Sequence, residues 1–372
     1  MGNVLRLHEG GEMRILSIDG GGIRGIIPAT LLAALEEMAG RPIHALFDGL
    51  AGTSTGGIMA MGLVCPQQGG APRSAAEIRS LYLDRGPLVF PLGGVGSIHR
   101  PKSGQEAPSG VRTQQPDDAD LRTRSQHALG FQNVSNIFAP FGEHGEQGNA
   151  RYSAAPLEQE LRREFGTTRM SQAIKPVAVV SYDFERRKTL IFKGGGIASS
   201  HLGDPEMAVV ARATSAAPTY FPGLRYPAPG GRMIHCVDGG VVTNDPSLVG
   251  YTMGRDLSEG REPVVLVSLG TGEADIPEAV DVAQIAANTN WPADLAHLCQ
   301  RIWGGPGPRN RSLLSTIPEL TYIRVQPKLA HGAVADMDNA TPENMDALRR
   351  TGEGFVAANR PLLERILQSV SA

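Results

Sequence analysis

The chain has 372 residues, of which 41% are hydrophobic and 20% are charged, and its formal net charge is −3 at pH 7. This length and apolar fraction are typical of a globular protein with a sizeable buried core, in one large domain or two. The slightly acidic balance gives no electrostatic reason to expect a nucleic acid polymer as a partner.

The cysteines and the N-terminus favour an intracellular protein. Cys65, Cys236 and Cys299 are widely spaced and form no metal-ligand group with histidine, which favours a reducing compartment. Residues 1–6 lack the apolar segment of a secretory signal, and the longest apolar stretches, such as 58–65, are far shorter than the roughly 20 residues that span a bilayer. We therefore expect a cytoplasmic protein whose contact with a membrane is peripheral.

The first predicted strand leads into a glycine loop. Residues 14–18 are predicted as a buried strand, residues 19–25 read Asp-Gly-Gly-Gly-Ile-Arg-Gly, and residues 26–38 have apolar side chains at helical spacing. Such a loop can aim successive backbone N–H groups at one point, which suits an oxyanion or a phosphate. A purely structural glycine turn is the alternative.

The same glycines also fit the dinucleotide-binding fingerprint Gly-x-Gly-x-x-Gly. That fingerprint expects an acidic residue about 20 positions later, at the end of a second strand. The nearest acids, Glu36 and Glu37, fall within the predicted helix instead. A nucleotide cofactor is therefore disfavoured.

A second strand, from Phe47, ends in a serine between glycines. Residues 52–56 read Gly-Thr-Ser-Thr-Gly, and a helix is predicted from there to about Leu63. The pattern Gly-x-Ser-x-Gly at a strand-to-helix corner places a serine hydroxyl on a sharp, exposed turn, so Ser54 is the candidate nucleophile. An ordinary Gly/Ser/Thr turn is the competing interpretation.

The next part of the chain contains an irregular segment. Ser74 and Glu77 form a capping box that predicts a helix to about Asp84. Residues 93–150 are rich in glycine, proline, glutamine and charges of both signs, which indicates an insertion or lid. Regular elements then follow, namely a helix at 155–165, strands at 177–182 and 189–192, and a helix at 205–213.

A further strand, 233–237, runs directly into Asp238-Gly239-Gly240. An acid at the tip of a strand and followed by two glycines can reach a neighbouring turn, so Asp238 is the acid expected to pair with Ser54. The remaining chain predicts a helix from about Pro246, a strand at 264–269, helices at 280–287 and 292–302, a strand at 320–325 and a closing helical region at 342–367. We predict one α/β domain: a core at 14–251, with the insertion at 93–150, completed by 252–372.

Two mechanisms can use a serine and an aspartate in this order. A Ser-His-Asp α/β-hydrolase would need His297 or His331, but only one predicted strand precedes Ser54, whereas the nucleophile strand of that fold lies well inside the sheet. His235 is near Asp238, yet three residues along a strand place it on the opposite face. The other mechanism is a serine–aspartate dyad without histidine.

Four segments together resemble the patatin-like phospholipases: 15–36 with its glycine loop, 52–56, 211–222 and 238–240. The resemblance implies a three-layer α/β sandwich with a central, mostly parallel sheet, and a lipid acyl hydrolase that needs no metal or other cofactor. It implies that Ser54 attacks the ester and Asp238 serves as base, with an oxyanion held by backbone N–H groups. The implied oxyanion residues are Gly20, Gly21, Gly22 and Thr55, and the supporting motif residues are Arg24, Gly25, Gly52, Gly56, Gly239 and Gly240.

The resemblance also suggests a substrate and a mode of regulation. The expected substrate is a membrane phospholipid or another acyl lipid, reached at the inner membrane surface. Some bacterial members of the family are antiviral effectors that a cyclic nucleotide activates, so a cyclic dinucleotide is a hypothetical activator here. Basic residues of the insertion that would suit an anion are Arg100, Lys102, Arg112, Arg122 and Arg124. The rival from another class is a non-catalytic module that binds an anion or nucleotide at the glycine loops.

Overall fold

Eight strands in the described part of the chain form one sheet, in the order β5-β6-β3-β2-β1-β7-β8, with β4 paired to β3. The computed structural model describes residues 11–67, 69–91, 150–197, 201–274 and 307–371. The strands are β1 (Met13–Ile18), β2 (Gly49–Thr53), β3 (Val177–Asp183), β4 (Lys188–Gly194), β5 (Leu224–Ala228), β6 (Arg232–Asp238), β7 (Val264–Leu269) and β8 (Leu320–Val325).

Helices connect and cover these strands. They are α1 (Ile26–Ala39), α2 (Ile43–Leu46), α3 (Thr55–Gly62), α4 (Ala75–Val89), α5 (Ala154–Phe165), α6 (Met207–Thr214), α7 (Gly240–Thr243), α8 (Ser247–Leu257), α9 (Gly307–Leu314), α10 (Pro342–Ala358) and α11 (Arg360–Ser371). No helix in the described ranges is both long and apolar enough to cross a bilayer.

Both faces of the sheet are buried, which explains why its central strands are continuous apolar runs. In β1, Leu16 and Ile18 join the core under α1 and α10, whereas Met13 and Ile15 join a second core with Met253 of α8. The pairs β1–β2, β1–β7, β2–β3 and β7–β8 are parallel, and parallel sheets are normally covered on both sides. The predicted α/β sandwich with a central, mostly parallel sheet is therefore confirmed.

The strand register brings the ends of three strands to one place. Thr53, the last residue of β2, pairs with Val180 of β3. The next residue of β3, Ser181, pairs instead with Asp238 at the end of the antiparallel strand β6. Strand β6 therefore pairs with β3 beyond the end of β2, so its last residue, Asp238, lies next to the turn that follows β2.

Most of the predicted elements are present, with differences at their ends. The Ser74–Glu77 capping box is formed, because each side chain accepts a hydrogen bond from the other residue's backbone N–H, at 3.2 and 2.8 Å. Helix α4 then continues through Pro87 to Val89, beyond the predicted end. The closing helical region is divided at Asn359, which precedes the Arg360-Pro361 start of α11.

Four elements were not predicted, and several predictions fall outside the described residues. Strand β5 and helices α2, α7 and α9 were missed. The helices predicted at 280–287 and 292–302, His297, Cys299 and almost all of the insertion at 93–150 lie outside the described ranges. Strands β7 and β8, from 252–372, pair in the same sheet as β1. The division into a core at 14–251 and a completing segment stays a prediction.

Candidate active site

Ser54 sits on a strained turn between β2 and α3. Its backbone has φ 53° and ψ −124°, which a residue with a side chain rarely adopts. Two glycines permit the turn: a Cβ on Gly52 would lie 2.3 Å from the carbonyl oxygen of Gly56, and a Cβ on Gly56 would lie 2.1 Å from that of Ile18. The strand-turn-helix corner predicted from the sequence is therefore present, with both glycines required by close backbone packing.

A threonine on α6 fixes the turn from the side of β3. The Ser54 N–H donates to Thr214 Oγ1 at 2.8 Å, and that hydroxyl donates in turn to the carbonyl oxygen of Val180 at 2.5 Å. Thr214 and Val180 are fully buried, so these bonds oppose relaxation of the strained backbone.

The Asp238 carboxylate lies beside the Ser54 side chain inside the protein, close enough for that side chain to lower its pKa. The aspartate exposes 4% of its surface, and the Gly240 N–H donates to its Oδ1 at 2.7 Å. Burial raises the pKa of Asp238 to about 7, because desolvation of the carboxylate outweighs the hydrogen bonds from Ser54 and Gly240, which lower the pKa. This carboxylate is consequently a stronger base than an exposed aspartate and still ionises near neutral pH.

The glycines after Asp238 pack the end of β6 against β3. A Cβ on Gly239 would lie 2.4 Å from the carbonyl oxygen of Val180, and one on Gly240 would lie 3.1 Å from Asp238 Oδ1. The two glycines therefore let Asp238 approach the Ser54 turn closely and receive the Gly240 N–H.

The glycine loop after β1 is held against the serine. The Gly20 N–H donates to the carbonyl oxygen of Asn244 at 3.1 Å, and Thr271 Oγ1 donates to the Gly20 carbonyl oxygen at 2.9 Å. A Cβ on Gly20 would lie 3.2 Å from the Cβ of Ser54 and 2.3 Å from Asn244 Oδ1. Only glycine therefore fits between the loop and the serine turn.

The backbone N–H groups of the glycine loop and of Thr55 differ in whether a hydrogen bond within the protein already occupies them. Because the Gly20 N–H is paired with Asn244, it is not free for a substrate oxyanion, contrary to the expectation from the sequence. Gly22 and Thr55 begin helical turns, where N–H groups have no intrahelical partner, and both line one cavity with Ser54. No hydrogen bond among the described residues occupies the N–H of Gly21.

The Arg24 side chain joins the glycine loop to the turn that follows β7. Its Nε and Nη1 donate to the carbonyl oxygens of Gly21 and Gly272, both at 3.4 Å. Desolvation lowers the pKa of Arg24, and the charges of Asp19 and Asp336 partly offset that effect. These contacts favour a role for Arg24 in orienting the glycine loop over a role as ligand of a lipid phosphate.

A cavity of about 150 Å³ adjoins Ser54 between three helices. Its wall is mainly apolar and includes Ile58 and Met59 of α3, Ile78 and Leu81 of α4, and Leu157 and Leu161 of α5. Charged side chains also reach it, but Arg85 is paired with Glu160, and Glu164 with Arg73. The cavity therefore suits an uncharged, flexible hydrocarbon group beside the serine.

The candidate histidines within the described ranges, His235 and His331, lie apart from the Ser54–Asp238 pair. The Asp238 carboxylate accepts from the Gly240 N–H and lies beside the Ser54 side chain. His235 Nδ1 lies 2.6 Å from Glu185 Oε1, and His331 is exposed on a turn. In the described part of the chain, no group of three or more His, Cys, Asp or Glu side chains is placed to hold a metal ion.

Several residues at the site were not found from the sequence. Thr214, Asn244 and Thr271 contact the serine turn or the glycine loop, and Tyr82 contacts Thr55. Asn244 follows Asp238 closely in the sequence, and this proximity is the only sequence feature that could have indicated its place at the site. Thr214 lies within the family-like segment 211–222, whereas Thr271 and Tyr82 come from elements that only the tertiary fold brings near Ser54.

Comparison with known proteins gives a consistent set of relatives. The family model described as patatin-like phospholipase matches residues 16–249. Patatin-like protein 2 of Arabidopsis thaliana is 28% identical, over 92% of this chain and 83% of that protein. Patatin-2-Kuras 1 of Solanum tuberosum is 29% identical, over 92% and 86%. Among solved structures, human GIVD cytosolic phospholipase A2 aligns with a TM-score of 0.44 and 12% identity, over 98% of this chain and 62% of that one.

Proposed function

The chain belongs to the patatin-like phospholipase family, and from this premise we propose that it hydrolyses acyl esters of lipids with Ser54 as nucleophile and Asp238 as base. The observation that carries the proposal is the position of the Ser54 side chain next to the buried Asp238 carboxylate, whose pKa it lowers, beside an apolar cavity. A serine hydroxyl is a weak nucleophile unless a neighbouring base removes its proton.

The reaction proceeds in two halves. Ser54 Oγ attacks the ester carbonyl carbon while its proton passes to Asp238. The bond from that carbon to the alcohol oxygen breaks, and the alcohol leaves with the proton from Asp238. A water molecule then attacks the acyl-serine and gives a proton to Asp238, which returns it to Ser54 Oγ as the free acid departs.

The oxyanion of each tetrahedral intermediate is stabilised by backbone N–H groups. The proposed donors are those of Gly21, Gly22 and Thr55, since the Gly20 N–H is bonded to Asn244. Loss of a single donor of this kind typically costs about 3 kcal/mol, so these groups carry much of the rate acceleration where the base is a carboxylate. The close packing of the loop keeps the donors in place before substrate arrives.

The substrate is a lipid whose acyl chain occupies the cavity between α3, α4 and α5. Burial of hydrocarbon contributes roughly 0.8 kcal/mol per methylene, which favours a fatty acyl group over a short polar one. A membrane phospholipid, contacted peripherally, meets these requirements. Location at the inner membrane surface, gating by a cyclic dinucleotide and an antiviral role stay predictions, and the basic residues that suggested an anion site, from Arg100 to Arg124, lie outside the described ranges.

Lipid hydrolysis with a matched variant tests the proposal. Mixed phospholipid vesicles are incubated with the wild-type protein and with Ser54→Ala, and released fatty acids are measured by mass spectrometry. Release by the wild type, none by the variant, and labelling of Ser54 by a fluorophosphonate are the expected results. A wild type that neither releases fatty acid from any lipid nor reacts with the probe would favour the non-catalytic binding module instead.

A further inference from the structure

Tyr82 of α4 is joined to the residue after the nucleophile by two hydrogen bonds. Its hydroxyl donates to the Thr55 carbonyl oxygen at 2.9 Å, and Thr55 Oγ1 donates to the Tyr82 hydroxyl at 2.6 Å. Thr55 exposes 3% of its surface. A neutral hydroxyl that both donates and accepts fixes the orientation of its partner more firmly than a single bond does.

The backbone of Gly25 in the glycine loop packs directly against the contact between Tyr82 and Thr55. A Cβ on Gly25 would lie 2.6 Å from Thr55 Oγ1 and 2.8 Å from Cε1 of Tyr82. Gly25 ends the short helical turn that begins at Gly22. Helix α4, the serine turn and the glycine loop therefore meet at this one point.

Thr55 matters because it is covalently next to the strained serine. The Ser54 N–H is held by Thr214 on one side of the turn, and Tyr82 holds the side chain and carbonyl of Thr55 on the other. A backbone in a sparsely populated conformation persists only where its surroundings hold it. The direction of the Thr55 N–H depends on the same restraint.

We propose that Tyr82 is a positioning residue for ester hydrolysis, which holds Thr55 so that the Ser54 hydroxyl and the Thr55 N–H keep their geometry toward the reacting carbonyl. The inference rests on the proposed function. The Tyr82 side chain also lines the cavity, so it is placed where the substrate's acyl chain and the reacting groups come together.

Three variants test this role by kinetics. Tyr82→Phe removes the hydroxyl and keeps the ring, Thr55→Val removes the partner hydroxyl and keeps the backbone N–H, and the double variant removes both. We expect Tyr82→Phe to lower kcat about tenfold and Thr55→Val to lower it less, with KM within about twofold in both, because the restraint acts on the transition state. The double variant should fall no further than Tyr82→Phe, since Tyr82→Phe already breaks both hydrogen bonds, whereas Thr55→Val keeps the bond from the Tyr82 hydroxyl to the Thr55 carbonyl oxygen.

Tyr226→Phe is the matched control. The Tyr226 hydroxyl donates to the carbonyl oxygen of Leu202 and the residue is buried, but it lies on edge strand β5. We expect Tyr226→Phe to lower the melting temperature about as much as Tyr82→Phe while leaving kcat unchanged. A parallel loss of kcat in the control would show that general loosening of the fold explains the effect, and would overturn the positioning role.

The outcomes separate this inference from the proposed function. If wild type hydrolyses lipid and Ser54→Ala does not, but Tyr82→Phe and Thr55→Val keep normal kcat, the positioning role is wrong and the proposed function stands. A rise in KM alone, or losses that multiply in the double variant, would equally overturn the role. If Tyr82→Phe does not fold, Thr55→Val alone decides between these results. An inactive wild type would overturn both.

Discussion

The side chain of Ser54 lies beside the carboxylate of Asp238 and lowers its pKa, in a site where the aspartate exposes 4% of its surface. Burial weakens the acid and so strengthens the base, while the hydrogen bonds limit that effect. The site therefore holds a carboxylate whose pKa is raised to about 7 rather than one that is ionised at all physiological pH values.

Activity should rise with pH through that ionisation. The proposed base must be deprotonated to accept the Ser54 proton, so kcat/KM is expected to increase with pH and to level off above a midpoint near 7. A pH profile on a non-ionising ester measures this. A midpoint near 4, the ordinary value of an exposed aspartate, would contradict the assigned environment of Asp238.

The raised pKa of Asp238 also predicts that the free energy of unfolding decreases as pH rises, whereas the activity increases. Between pH 4 and 7 the folded state retains a proton on Asp238 that the unfolded state has released, so this group's contribution to stability is lost as pH rises. Asp238→Asn removes that dependence, and we expect its melting temperature to gain on the wild type from pH 5 to pH 8. An unchanged difference across this range would count against a raised pKa.

Gly56→Ala should destabilise the protein strongly. The new Cβ would lie 2.1 Å from the Ile18 carbonyl oxygen, and backbone atoms there have no room to shift. Gly354→Ala, in open space on α10, is the matched helical control and should be neutral or stabilising by up to about 1 kcal/mol. Denaturant unfolding of the two variants checks the contrast, and equal stabilities would be inconsistent with the tight packing of the serine corner.

The buried ion pair between Asp19 and Arg324, at the start of the glycine loop, predicts a loss of stability when the arginine is replaced. Arg324 donates to both oxygens of Asp19 and, at 2.6 Å, to Ser268 Oγ. Arg324→Met removes the guanidinium group that pairs with the buried Asp19 carboxylate and should cost about 3–5 kcal/mol. The exposed pair Arg360–Glu364 is the comparison, where Arg360→Ala should cost less than about 1 kcal/mol. Chemical denaturation measures both, and a small loss for Arg324→Met would mean that the pair does not support the loop.

Narrowing the cavity should alter the preference for acyl length. Leu161 is buried and lines the cavity, so Leu161→Trp is expected to raise KM for long-chain esters while short-chain esters are turned over as before. Leu313→Trp, at a position that is 58% exposed, serves as control. The KM values for esters of graded chain length provide the measurement; an equal effect on all lengths would argue that the acyl chain lies elsewhere.

The sequence predicts those features that depend on neighbouring residues. The apolar run 14–18, the serine between Gly52 and Gly56, and the Ser74–Glu77 box each determine a local structure, and each is present. Strand β5 was missed because Arg225 and Pro227 interrupt its apolar pattern. A proline is tolerated there because β5 is an edge strand, which the local sequence does not reveal.

The meeting of Ser54 and Asp238 depends on pairing between distant segments. That Asp238 pairs with Ser54 was expected from its place at a strand tip before two glycines and from the family's motif order, but nothing in 233–238 indicates that β6 runs antiparallel to β3. Thr214 lies in the segment 211–222 that resembles the family, but its hydrogen bond to the Ser54 N–H was not predicted. The contact of Tyr82 was unpredictable because a tyrosine within a helix is most often an ordinary packing residue. Local patterns thus predicted the turn, but not the residues that hold it.

The most direct test of the account is the rate of fatty acid release by Asp238→Asn, measured at pH 8 on phospholipid vesicles beside the wild type, with folding checked by thermal unfolding. Asparagine fills the same space but cannot accept the serine proton. We expect a folded protein whose kcat is lower by roughly three orders of magnitude, the contribution typical of an essential general base. A folded variant with kcat within a few-fold of the wild type would contradict the serine–aspartate dyad.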